Sequence, residues 1–254
     1  MADSYNIPFI AQSDFEEHVA KTIATYNSTL KAVNLDKFNS NIVDPIKLTF
    51  DKALFRKSLE DIIDLEIHRQ RDKSNTNAIG YFHQYMFKYI ANCEVPKHGF
   101  DVVFTQSDGT KIYVEIKNKH NTMNSSSAQK TYITMQNQIL KHPNDMCFLA
   151  EVIAKRSQNT VWRCSVDGSS VSHDRIRRVS MDKFYSLVTG IDNAFYMICK
   201  QLPITIEKLI ANDVVNTVEQ DTVIEELRTK NPDLLKALYL LAFETYNGFD
   251  VVAE

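Results

Sequence analysis

Two short runs of apolar, β-branched and aromatic residues lie on either side of a polar turn. The runs cover 100–104 and 111–116, and the polar residues between them include Asp108-Gly109. Such runs favour β-strands, and Asp-Gly is a strong signal for the turn of a hairpin. The pattern therefore predicts a β-hairpin within the segment 99–119.

Two further apolar runs predict additional strands. Residues 146–154 are almost entirely apolar, which is typical of a central strand that is buried on both faces. Residues 161–166 fit a neighbouring strand, and Gly168 with the two serines after it predicts a turn.

The first part of the chain has helical periodicity. A first helix is predicted from Ser13 or Asp14 to about Lys31, and 34–47 is predicted to connect it to a second helix that begins near Phe50. The polar sequence HRQRDKSNTN (68–77) is interpreted as a loop that ends the second helix. A third helix, rich in aromatic residues, is predicted after it.

Helical patterns also follow the hairpin and fill the end of the chain. A proline, Pro203, is expected to separate two of these helices. The third helix is predicted at 78–91. The helices predicted after the hairpin are 128–140, 180–188, 191–200, 204–211, 223–228 and 233–246. The order of elements predicts an α/β fold with a mixed central sheet flanked by helices and with additional N- and C-terminal helices.

Length and composition support one domain. The chain has 254 residues, of which 44% are hydrophobic, so a single domain over 1–254 can bury a sizeable core. We predict a helical N-terminal part (1–74), a catalytic core (75–180) and a helical C-terminal part (181–254).

Cysteine spacing and hydropathy exclude several classes of protein. The four cysteines are far apart and form no CxxC pair, which argues against a zinc site or a disulfide framework and favours buried thiols. No apolar run approaches the roughly 18 residues of a membrane span, and the N-terminus lacks the features of a signal peptide. We therefore expect a soluble protein of the cytoplasm.

Charge is unevenly distributed although the net charge is only -3. The basic residues of the segment 155–178, here called the basic belt, fit a surface that binds a polyanion. A solvated mixture of charges is the alternative. The belt consists of Lys155, Arg156, Arg163, Arg175, Arg177 and Arg178.

The predicted hairpin brings two acids and a lysine together. Side chains alternate along a strand, so Glu115 and Lys117 share one face while Ile116 points to the other. Asp101 lies on the partner strand near the paired end. Because exposed strands often carry alternating Glu and Lys, a solvated face remains the alternative for Glu115 and Lys117 taken alone.

These side chains could hydrolyse a phosphodiester with the help of a metal ion. The carboxylates of Asp101 and Glu115, with the main-chain carbonyl of Ile116, would be ligands for Mg²⁺. Lys117 would orient or deprotonate the attacking water, or stabilise charge that develops on the phosphate.

Residues that could contact DNA surround the hairpin. Polar side chains that can donate to phosphates and bases follow Lys117 and lead into the next predicted helix. Two more, His83 and Gln84, lie on the helix before the hairpin, where hydrogen bonds within the fold are the alternative. Bases would be read from the loop 118–127 and from the basic belt. The candidate DNA-binding residues are Asn118, Lys119, His120, Asn121, Asn124, Ser125, His83 and Gln84.

The same motifs resemble a known enzyme family. The sequences GFD (99–101) and EIK (115–117) resemble the active-site hairpin of PD-(D/E)XK nucleases. The run YVEIKNKHNTMNSSSAQK (113–130), with IGYFHQ (79–84) upstream, resembles a family of type II restriction endonucleases that cleave GGNCC sites. One departure is that Phe100 stands where the motif name has proline, a position at which this family tolerates variation.

The resemblance implies an activity and a set of partners. It implies a Mg²⁺-dependent homodimer that cuts both strands of a short symmetric DNA site, in a host that holds a companion methyltransferase. Asp101 and Glu115 match the metal ligands, and Lys117 matches the catalytic lysine. An upstream acid completes some sites of this kind, and Glu60 and Glu66 are candidates for it.

Two other functions remain open at this stage. A structure-selective or repair nuclease could use the same core. In a non-catalytic DNA-binding protein, the charged side chains of the hairpin would only be solvated and would take no part in a reaction. Discrete cleavage products would separate a site-specific enzyme from both.

Overall fold

The computed structural model describes residues 5–120, 122–212 and 220–245. Contacts between residues group the chain into two compact units. The first unit consists of the described parts of Met1–Ile23 and Asn77–Val214, and the second of the described parts of Ala24–Thr76 and Val215–Glu254.

The regular elements confirm the predicted α/β fold with a mixed sheet flanked by helices. The strands are β1 Cys93–Glu94, β2 Val102–Thr105, β3 Lys111–Lys119, β4 Met146–Ile153, β5 Asn159–Val166 and β6 Ser169–Ser180. The helices are α1 Gln12–Thr29, α2 Leu35–Asn39, α3 Pro45–Phe55, α4 Leu59–Met86, α5 Ser125–Lys141, α6 Met181–Thr189, α7 Ala194–Asn212, α8 Val223–Lys230 and α9 Leu234–Phe243, with a 3-10 turn at Phe87–Tyr89.

The first unit contains the sheet, whose strand order is β1-β2-β3-β4-β6-β5. The pairs β1-β2, β2-β3 and β5-β6 are antiparallel, whereas β3-β4 and β4-β6 are parallel. Helix α5 connects β3 to β4, as a crossover between parallel strands requires. The predicted hairpin and the predicted central strand are both confirmed.

Apolar side chains cover both faces of the sheet. On one face Ile112, Val114 and Ile116 of β3 pack in a core with residues of α1, α4, α6 and α7. On the other face α5 contributes Tyr132 and Met135 to a second core. Because side chains alternate along β3, Ile112, Val114 and Ile116 are deeply buried, whereas Glu115 and Lys117 point to the opposite face, where a site can form.

The second unit has its own helical core. Residues of α2, α3, α4, α8 and α9 bury apolar side chains against one another, including Phe38, Ile63 and Leu238. Asp44 accepts from the N–H groups of Ile46 and Lys47 and begins α3 with Pro45 in its first turn. Helix α3 therefore starts five residues earlier than the predicted position near Phe50.

The predicted loop at 68–77 is wrong, because these residues lie inside the 28-residue helix α4. Their polar side chains bind protein groups as well as facing solvent. Arg69 Nε donates to Glu66 Oε2 at 2.7 Å, and Arg71 reaches the main-chain oxygen of Thr29 and the carboxylate of Asp221. The partners of Arg71 are distant in sequence, so the local pattern resembled a solvated loop.

Strand β6 was not predicted, and Pro203 does not end a helix. The first half of β6 is polar and pairs only with β5, while its last residues also pair with β4 and are buried. Pro203 lies inside α7, where it removes one main-chain donor from a helix that is otherwise held by apolar packing.

Burial of the cysteines follows the prediction with one exception. Cys147 and Cys164 are buried and Cys93 is partly buried, but Cys199 is exposed. Over the residues that the structure covers, no helix is long and apolar enough to cross a membrane. The single domain and its three predicted parts stay a prediction; the boundaries of the two compact units fall within α1 and α4 instead.

Arg71 should be a main source of stability in the second unit. Its guanidinium donates to Asp221 at 2.7 and 3.0 Å, to Thr29 O at 2.7 Å and to Lys31 O at 3.2 Å, so Arg71→Ala leaves several acceptors without their donor. We expect a loss of about 2–3 kcal/mol in urea unfolding followed by circular dichroism. Lys73→Ala, exposed on the same helix, is the control; an equal effect of both substitutions would contradict this role.

Candidate active site

Asp101 is fixed by the end of the hairpin. It immediately precedes β2, and its main-chain N–H donates to Val114 O at 2.9 Å. Its carboxylate oxygen Oδ2 accepts the N–H of Ile116 at 2.7 Å. The side chain therefore takes the place of a main-chain partner just before β2 begins, and it lies beside the middle of β3.

Glu115 and Lys117 form a pair on the same strand. Lys117 Nζ donates to Glu115 Oε1 at 2.7 Å, and the side chains are only 29% and 24% exposed for Lys117 and Glu115. Ile116 between them is buried in the opposite core. The N–H and C=O of one strand residue point to the same side, so the carbonyl of Ile116 faces the side on which Asp101 lies.

The environment of Asp101 disfavours its charged form. Burial raises its pKa to about 6, and the charge of Glu115 acts in the same direction. The hydrogen bond from Ile116 and the charge of Lys117 oppose this shift only in part. A cation bound here would remove the penalty of holding two carboxylates in a half-buried place.

The donor set fits Mg²⁺. The ion takes oxygen ligands, keeps several waters and needs only one or two carboxylates from the protein. Asp101 and Glu115 supply that number, with the carbonyl of Ile116 as a neutral oxygen. Across the described ranges no group of three or more His, Cys, Asp or Glu side chains could hold a metal, so a site made only of protein ligands is not found there.

A cleft of about 450 Å³ opens beside the pair. Glu115 and Lys117 line one wall, and the start of α5 lines the other with Ser127 and Lys130. Asn124 caps α5 by accepting the N–H of Ser127 at 2.8 Å. Ser127 in the first turn of α5 and Lys130 thus line the same solvent-open space as the carboxylate of Glu115.

The structure rearranges the predicted DNA-contacting loop. Asn118 and Lys119 belong to β3 rather than to a loop, and Asn118 lies close to Gly80 of α4. Ser125 is the first residue of α5 and is exposed beside the cap Asn124. Asn121 lies outside the described residues.

His120 belongs to a buried charged cluster that the sequence analysis missed. Its Nδ1 lies 3.0 Å from Oε2 of Glu151, which is 1% exposed, and Arg178 Nε donates to the other oxygen of Glu151 at 2.9 Å. Arg178 also donates to the main-chain oxygen of His120 at 3.1 Å. Glu151 is the register partner of Lys117. The available signal was a single acid inside the apolar run 146–154, since a buried charge needs a partner.

Of the two candidates on α4, Gln84 contacts Asp101, and His83 differs from it in chemistry. Gln84 Nε2 is 3.4 Å from the main-chain oxygen of Asp101. His83 is largely buried, and burial together with the charge of His18 lowers its pKa to about 4. At neutral pH His83 is therefore uncharged and offers a phosphate no positive charge.

Much of the basic belt is used inside the protein. Arg175 donates to the main-chain oxygens of Asp145 and Pro143, Arg177 to both oxygens of Asn159, and Arg178 to Glu151. Lys155, Arg156 and Arg163 are exposed. The surface that the belt offers to a polyanion is thus smaller than its sequence indicates.

The two upstream acids have partners in their own unit. Glu60 accepts from Arg228 at 2.7 Å, and the nearly buried Glu66 binds Arg69 and Gln70. A role for either in the site remains an untested prediction.

Asp101→Asn should stabilise the metal-free protein in a pH-dependent way. Because the folded pKa of about 6 exceeds the ordinary 3.8, the wild type loses stability as pH rises from about 4 through 6, whereas asparagine keeps the acceptor for Ile116 and carries no charge. We expect a gain on the order of 1–2 kcal/mol at pH 8 with chelator present, fading below pH 4. Thermal unfolding across pH measures it; an equal or lower stability of the variant at pH 8 would contradict the assignment.

Comparison with known proteins identifies the family. A family model described as Eco47II restriction endonuclease matches residues 7–211. The type II restriction enzyme Sau96I of Staphylococcus aureus is 30% identical over 218 residues, which cover 83% of each chain. The type II restriction enzyme Eco47II of Escherichia coli is 26% identical over 214 residues, covering 81% of this chain and 88% of the relative. These matches confirm the resemblance to a family of type II restriction endonucleases, and the chain belongs to the Eco47II restriction endonuclease family.

Proposed function

We propose that this protein is a type II restriction endonuclease that hydrolyses both strands of a short GC-rich palindrome such as GGNCC with Mg²⁺. The observation that carries the proposal is that the Asp101 carboxylate binds the N–H of Ile116, between the paired side chains of Glu115 and Lys117 that line a cleft, in a chain of this family. The GGNCC site itself rests on the resemblance of the motif region.

The carboxylates and the lysine have separate tasks in the proposed reaction. Asp101 and Glu115, with the carbonyl of Ile116, would hold the ion, which supplies a Lewis acid for the phosphate and a more acidic water. Lys117 holds the attacking water or donates to the non-bridging oxygens of the phosphate. In the structure its ammonium is held by Glu115, so it is already directed into the cleft.

The far wall of the cleft suits the phosphate that is cut. The first N–H groups of the 17-residue helix α5 and the ammonium of Lys130 favour a negative charge there. Asn124 and Ser125 stand at the start of this helix. We assign to these residues contacts with the DNA backbone rather than with bases.

The proposal includes an assembly and a setting. A palindromic site presents two equivalent phosphates, so a homodimer would place one copy of the site at each strand. The enzyme would act on double-stranded DNA in the cytoplasm, where a companion methyltransferase protects the host's own sites.

Asp101→Asn and Lys117→Ala should each abolish cleavage without unfolding the protein. Each removes a group that acts on the reacting phosphate or on its metal, so we expect a rate loss on the order of 10²-fold or more. Digestion of unmethylated plasmid of known sequence with Mg²⁺, with the ends mapped, measures the rate and the site. Lys111→Ala, exposed at the start of the same strand, is the control and should cleave like wild type.

Three results would count against this function. Intact plasmid after treatment with wild type would indicate a non-catalytic protein. Nicks or smears without discrete bands would indicate a structure-selective nuclease. Full activity of both variants would show that the reaction takes place elsewhere.

A further inference from the structure

A second cleft, of about 390 Å³, adjoins the candidate active site. It is bounded on one side by α4 and on the other by residues 95–99, and Asp101 lies in its lining. Gly99 and Phe100 line both this cleft and the one that holds Glu115 and Lys117. The two clefts therefore share this short segment in their walls.

The helical wall of the second cleft carries an exposed aromatic pair. Tyr81 and Tyr85 are stacked with ring centroids 5.8 Å apart and an interplanar angle of 12°, although they are 57% and 38% exposed. Lys88 Nζ lies 4.2 Å from the centroid of the Tyr85 ring. The spacing of four residues puts both tyrosines on one face of α4, and Lys88 follows in the 3-10 turn over the ring of Tyr85, so the pair and the lysine form one ordered surface.

The cleft is positively charged. Lys88 and Lys97 line it, and among the lining residues that the structure describes the only acid is Asp101. Within the part of the chain that the structure describes, neither lysine forms an ion pair with a carboxylate. This contrasts with Arg178, which a buried carboxylate already holds.

We propose that this cleft binds the sugar–phosphate backbone of the substrate strand next to the phosphate that is cut. The inference rests on the proposed nuclease function and names a further part of its substrate site. Lysine ammonium groups act as point charges toward phosphates, and tyrosine hydroxyls donate to the same oxygens. Because each tyrosine ring is covered on one face by its neighbour, the pair supports the lysine and is poorly placed to read base edges.

Contacts between lysines and phosphates should contribute the same binding free energy whatever the DNA sequence. Each phosphate that a lysine neutralises releases counterions and adds to the slope of affinity against salt. Loss of the contacts should weaken binding to any duplex, whereas loss of a base contact would weaken binding to the cognate duplex alone.

The experiment compares the double variant Lys88→Ala/Lys97→Ala with its parent. Both proteins also carry Lys117→Ala, which prevents cleavage during the measurement. Fluorescence anisotropy with a GGNCC duplex and an unrelated duplex, over a series of KCl concentrations, gives Kd and the salt slope. We expect Kd to rise about tenfold for both duplexes and the slope to fall by about two. Lys88→Arg/Lys97→Arg, which keeps both charges, should restore most of the affinity.

Lys183→Ala on α6 is the matched control, since it removes an exposed lysine away from both clefts and should leave Kd unchanged. An unchanged Kd and slope in the double alanine variant would overturn this inference, and so would a loss confined to the cognate duplex. Absence of cleavage by wild type together with absence of any DNA binding would overturn the proposed function as well. Equal melting temperatures of variant and parent verify that the exposed substitutions leave the fold intact.

Discussion

The parallel pairing of β3 with β4 is the constraint on which the site depends. It sets Glu115 opposite Leu149 and Lys117 opposite Glu151, with the buried Ile116 opposite Ala150. Because side chains alternate along a strand, a slip of one residue would turn the two charged side chains into the core and bring Ile116 to the cleft. The apolar core beneath β3 excludes that slip, so packing on one face decides the chemistry on the other.

Some charged side chains of this protein pair with one another inside the fold, whereas others line clefts that are open to solvent. Glu151 in the middle of the sheet binds Arg178 and His120, and removal of either would leave this buried carboxylate with one partner fewer. Lysines are instead found at the edges of the two clefts, as Lys130, Lys88 and Lys97 show. Arginine, with its planar fork, is used here where several acceptors converge, and lysine where a mobile point charge is sufficient.

What could be predicted from the sequence was local. The Asp108-Gly109 turn fixes the hairpin, and the hairpin alone brings Asp101 next to Glu115 and Lys117. The helical middle of α4 and the strand β6 could not be recognised, because their polar residues find partners far along the chain, as Arg71 does with Asp221. Glu151 and the cleft beside Tyr85 were missed for the same reason: each depends on elements that only the tertiary fold brings together.

The hydrogen bond from Ile116 to Asp101 gives one carboxylate two duties. The N–H of Ile116 lies beyond the end of its neighbour β2 and must find another acceptor, and here that acceptor is the proposed metal ligand itself. The main chain of β3 therefore orients the carboxylate of Asp101, and no other side chain is needed to hold it. Substitution of Asp101 can change the length of the side chain as well as its charge. Alanine would leave the N–H of Ile116 unpaired, and glutamate would push the carboxylate away from the strand. Only a side chain of this length can both accept the main-chain hydrogen bond and hold the metal ion.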